Sequence, residues 1–105
     1  MNEFVDIPGA SGAAYRFRRI ADLTQMPAEA GNFIIFRLAS DQGEIICCGA
    51  ASSLARADKV WAAAVEQHAA DAIFVRLNIS RNVRDAEHQD IVQHYRPAMV
   101  VAEVD

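Results

Sequence analysis

The sequence has no repeats, no low-complexity runs and no linker long enough to divide it. At 105 residues it reads as one domain, since soluble domains most often run about 100–150 residues. No apolar segment approaches the roughly 18–20 residues that a membrane span requires. The opening stretch, MNEFVDIPGASG, lacks both a basic start and an apolar run, so no export signal is expected. Only two cysteines occur, and they are neighbours, Cys47 and Cys48. A bridge between adjacent residues would be badly strained, which excludes a disulfide framework. A reducing, cytoplasmic setting is the expectation. Basic charge is also short: the net charge is −4, which argues against the broad cationic surface that supplies most non-specific nucleic-acid affinity.

Apolar residues are plentiful, at 52% of the chain, enough for a core without staples. Breakers divide it clearly. Residues 7–12, IPGASG, read as a loop, and residues 13–20, AAYRFRRI, alternate as an edge strand would. Residues 24–32, with Pro27 and Gly31, form a connection. Residues 33–39, FIIFRLA, are apolar on both faces and predict a central strand. The turn SDQGE, residues 40–44, offers Gly43 for a positive φ and returns the chain as IICCG. An alanine-rich helix is predicted over about 54–69, with Trp61, Ala64, Val65 and His68 as its inward stripe. Another strand covers 71–79 and a second helix about 80–96, with Ser80 as its cap and Pro97 as its stop. Residues 98–104, AMVVAEV, add a terminal strand. The expected fold is α+β: a small, mostly antiparallel sheet (hairpin 33–49, strand 71–79, edge strand near 15–20) with two main helices, residues 1–30 forming an extension that carries the edge strand.

This order, with four local matches, resembles the GIY-YIG nuclease domain over about residues 31–99. GNFIIF stands where the first motif would be and ICCG where the second would be, Gly49 being retained; SSLARA resembles the helix start after the second motif, and HQDIVQHYRP the terminal helix with its closing Tyr-Arg-Pro. The resemblance implies a one-metal phosphodiester hydrolase. A glutamate on the last helix would hold the ion, a motif tyrosine would help activate water, and an arginine would steady the developing anion. This chain departs from that pattern at each place. The first tyrosine falls in Phe33-Ile34-Ile35, which has no hydroxyl, and the second falls on Cys47, beside Cys48. The arginine position is Ala57, with Arg56 one step early, and the glutamate position is His88, with Glu87 one step early. Val100 stands at or near the asparagine that commonly follows the closing proline, Pro97.

One step on a helix turns a side chain by about 100°, so the periodicity decides what faces inward. Ile91, Val92 and Tyr95 mark the apolar side of the last helix, with His88 and Arg84 on the same arc and Glu87 on the flank with Val83 and His94. An imidazole in that slot removes the hard anionic oxygen that magnesium-like ions require. The expectation is a nuclease-like scaffold that no longer cuts, with no cofactor and no metal, acting as an interaction module for a partner protein or another copy of itself. Nucleic acid is disfavoured by the charge, and no membrane partner is implied. The rival is a metal-dependent endonuclease or nucleic-acid binder with a rearranged site of Glu87, His88, Arg56 and Arg84; a small-molecule pocket around His88 is a third class.

Other residues admit a sharp and a plain reading. Adjacent strand residues point to opposite faces, so Cys47 and Cys48 suit a strand core better than one shared ion. His68, His88 and His94 show no ligand spacing. Asp90 and His94, four apart, read as a solvated helix pair, and Trp61 as a core anchor rather than a stacking platform. Arg16, Arg18 and Arg19, with Arg76, Arg81 and Arg84, either converge on phosphate or lie scattered and solvated.

Overall fold

A strand buried on both faces must lie between neighbours, and Gly31–Arg37 is buried from Gly31 through Phe36. In the computed structural model, which describes residues 3–39 and 43–104, it is β3 of a six-stranded sheet. The other strands are β1 (Phe4–Pro8), β2 (Ala14–Ile20), β4 (Glu44–Ala51), β5 (Ala72–Leu77) and β6 (Met99–Val104), and the helices are α1 (Asp58–His68) and α2 (Arg81–Tyr95). The sheet order is β1-β2-β5-β3-β4-β6. Every neighbouring pair is antiparallel except β4 and β6, which run parallel. No helix among the described residues is long and apolar enough to cross a membrane.

Strand alternation sends successive side chains to opposite faces, and the core divides accordingly. Ile20, Phe33, Ile35, Cys47, Ile73 and Val75 pack with Leu54, Ala57 and Ala64, and with the half-buried Trp61, beneath α1. Ile7, Phe17, Ile34, Phe36, Cys48 and Phe74 pack with Ile91 beneath α2. The two helices therefore cover opposite faces. Each fully buried Ile or Phe contributes about 1.5–3 kcal/mol of transfer free energy. Gly49 is set by this packing. It lies opposite Phe33 in the β3–β4 register, and a Cβ added there would land inside the Phe33 ring.

The predicted elements are present, with some shifts. Residues 15–20 form an inner strand, because Phe4–Pro8 adds a further strand outside it. Val5 and Ile7 face the α2 side while Phe4 and Asp6 face water, a short one-sided pattern that breaks off at Pro8. The predicted helix at 54 opens as a separate 3-10 turn, Leu54–Ala57, before α1 begins at Asp58. In the stripe of α1, Ala64 is fully buried, Trp61 and His68 are half-buried, and Val65 turns outward at 41% exposure. Gly43 adopts the expected positive φ of 70°, while residues 40–42 of that predicted turn lie outside the described residues.

Candidate functional site

Ser80 starts α2 by accepting a hydrogen bond at Oγ from the Val83 amide, and Arg96, in the left-handed region, ends it just before Pro97. Between these points the spacing Arg84, His88, Ile91 turns one arc onto the sheet, and all three are buried. The C-terminal half of that arc rests on the apolar cluster. The N-terminal half rests on polar side chains.

Buried polar groups must find partners, and here they form a connected chain across strands. Glu87 Oε1 accepts from Arg76 Nε at 2.8 Å and from Asn78 Nδ2 at 2.9 Å. Asn78 Nδ2 also donates to Asn32 Oδ1, at 2.9 Å. Asn32, itself 1% exposed, donates through Nδ2 to the Arg84 carbonyl at 3.0 Å. The Arg84 guanidinium donates to the Asn78 and Ile79 carbonyls and to Glu103 Oε1, the last at 3.0 Å. This chain fastens α2 to β3, β5 and β6 together. Arg84 Nε, His88 Nε2 and Glu103 Oε2 are buried without a hydrogen-bond partner among the described residues. Burial holds the His88 imidazole below its ordinary pKa, and the charges of Asp85 and Glu103 oppose this only in part. Burial thus favours the neutral imidazole.

Of the four candidates for a rearranged site, Arg84, Glu87 and His88 meet beneath α2. Arg56 stays exposed on the 3-10 turn whose Leu54 and Ala57 pack into the opposite face. Glu87 lies on the flank of the buried arc, half-buried and bound to Arg76 and Asn78, while Val83 and His94 are exposed. The positions expected to correspond to the nuclease motifs are divided between the faces. Phe33, Ile35, Cys47 and Ala57 belong to the α1 side, while Ile34, Cys48 and His88 belong to the α2 side. Gly49 serves the close approach of Phe33, and half-buried Pro97 follows the end of α2.

Both cysteines are free and buried, and burial pushes each thiol up to about 12. Such thiols are inert, since the thiolate is the nucleophile and the metal ligand. Asp90 has closer partners than His94, four residues along the helix. It accepts from the Ser11 amide at 2.8 Å, the Ser11 hydroxyl at 2.7 Å and the Tyr15 hydroxyl at 2.6 Å. It thereby ties the β1–β2 loop to α2, and the Ser11 and Tyr15 hydrogen bonds hold its carboxyl below the usual range. His94 instead stacks edge-on against Tyr95.

The arginines converge in part: Arg16, Arg18 and Arg76 line one surface hollow with Phe4, Val75 and Leu77, while Arg84 lies beneath α2. Arg16 pairs with Asp6, Arg76 with Glu87, Arg81 with Asp85 and Arg84 with Glu103. A hard divalent cation does not fit this donor set. The slot residue is an imidazole beside a guanidinium, and the carboxylates of Glu87 and Glu103 are already paired with arginines. Among the described residues no group of three or more His, Cys, Asp or Glu side chains is placed to hold a metal.

Asn32, Asn78 and Glu103 complete the network and were not legible as site residues. Their one sequence signal is a polar side chain in or just past an apolar strand, which is recognisable only once the register is known. No known family model matches this chain, and neither a curated protein nor a solved structure is significantly similar to it.

Proposed function

We propose that the chain is a catalytically silent, cytoplasmic binding domain on a GIY-YIG-like scaffold, and that it engages protein by strand addition at the outer edge of β6. The observation that carries this reading is that edge. Among the described residues β6 is the last strand of the sheet and pairs on one side only, with β4, so its outer row of backbone N–H and C=O groups can receive a strand. Apolar side chains exposed elsewhere, Leu77 at 53% and Ile79 at 71%, suit a protein partner better than a polar ligand.

The chemistry-bearing residues support the same reading from the other direction. Glu87 and Arg84, the groups a rearranged nuclease would need, are held in the network that seats α2. Hydrolysis of a phosphodiester requires a free carboxylate for the ion and a free cation for the developing anion. Purified protein incubated with magnesium, manganese or zinc is expected to leave single- and double-stranded DNA and RNA intact. Metal-dependent cleavage that disappears in Glu87→Ala and His88→Ala would overturn the proposal in favour of the nuclease.

A further inference from the structure

The two edges of the sheet differ in how they are protected. β1 carries Asp6, which is exposed and paired with Arg16, and ends at Pro8, which has no N–H to offer. Charge and proline are standard devices against edge pairing. β6 has no such device in its first half: Met99, Val100 and Val101 are apolar, and Val100 stands 49% exposed. Its second half is irregular, because the register with β4 shifts between Gly49 and Ala51, and Glu103 turns inward to Arg84.

Resting on the strand-addition reading above, the geometry points to a second copy of this chain as the occupant, with β6 pairing antiparallel to its own symmetry mate about a twofold axis at Val100. A twofold perpendicular to the sheet keeps each face on its own side, so paired residues must share a face. Met99 and Val101 pack toward the α1 side, so each can oppose the other across the axis. Val100 then opposes itself, so that the ladder runs over residues 99–101 of β6, with Ala98 in the bend just before the strand. Pro97 closes this ladder at one end, and the register shift with Glu103 closes it at the other. No charged residue enters the paired segment, so no like charges meet. A register centred one residue later would bring Glu103 opposite Met99, at a cost in desolvation. The result is one continuous sheet through both copies, with the two α2 helices on the same face.

The test is a cysteine placed on the axis. Directly opposed antiparallel residues have Cα atoms about 4.5–5.5 Å apart, within disulfide range. Under mild oxidation Val100→Cys is expected to cross-link to a covalent dimer as the main product. Leu77→Cys, exposed but far from β6 in the sheet order, should remain monomeric, and the native thiols are buried. Sedimentation equilibrium of the unmodified protein should show a dimer, and Val100→Lys should shift it to monomer while circular dichroism stays unchanged. A unmodified protein that is monomeric up to about 1 mM, with Val100→Cys cross-linking no faster than Leu77→Cys, would overturn the second copy as occupant. That outcome leaves the non-catalytic reading standing, because only metal-dependent cleavage removes it.

Discussion

Two helices are held to one sheet by different means. α1 presents small residues: Ala64 is fully buried, and Leu54 and Ala57 of the preceding turn fill the remaining space over Phe33, Ile35 and Cys47. Nothing on that seat requires a particular partner beyond shape. α2 is seated for half its length by a hydrogen-bonded chain through Asn32, Asn78, Arg76, Glu87, Arg84 and Glu103. Apolar contact contributes stability without direction. A polar chain of this kind fixes one helix position, since every displaced group would be left buried and unpaired. The α2 side is therefore the side with the least freedom to bind anything else.

The sharpest way to break this comparison is Arg84→Ala. It removes a buried guanidinium and leaves Glu103 and two backbone carbonyls without their donor, a loss of about 3–5 kcal/mol. Arg84→Met combined with Glu103→Met should cost much less, because neither charge is then stranded. Urea denaturation of both variants checks this, and equal losses would show that volume rather than pairing seats α2.

On the α1 side the corresponding probe is Gly49→Ala. The added methyl meets the Phe33 ring, and overpacking of this kind costs about 1–3 kcal/mol. Phe33→Leu in the same chain should recover part of the crowding loss, which a double-mutant cycle measures. Full additivity would remove the proposed contact.

The smallest effect is the dependence on pH. Burial lowers the His88 pKa in the folded state from the ordinary value of 6.5, so the unfolded chain takes up this proton first as pH falls. The stability that comes from burying neutral His88 is complete above about pH 6.5 and is lost as pH falls toward the lowered folded value. A melting temperature that drops between pH 7.5 and pH 5.5, with a shallower drop in His88→Gln, is the expected result. An unchanged slope in the variant would assign the effect to other groups.

Much of α2 was legible because a single helix carries its own evidence. The spacing of Arg84, His88 and Ile91 put an imidazole on the inward arc, and the structure buries all three. Ser80 and Pro97 marked its ends by local chemistry. The partners of the flank residue Glu87 could not be read, because Arg76 lies on β5 and Asn78 just past its end. The further partners of Asp90, Ser11 and Tyr15, were hidden for the same reason, lying some 75–79 positions away in the chain.

By itself the sequence determined the α+β class, the β3–β4 hairpin, both helices and which side of α2 turns inward. These follow from periodicity and from breakers acting over a few residues. Only the tertiary structure decided that β5 enters between β2 and β3, that β1 rather than β2 guards one edge, and that Glu103 of β6 meets Arg84. Local pattern states which face a residue shows. Which distant element covers that face is decided by packing of the whole chain, where long-range pairs compete at once.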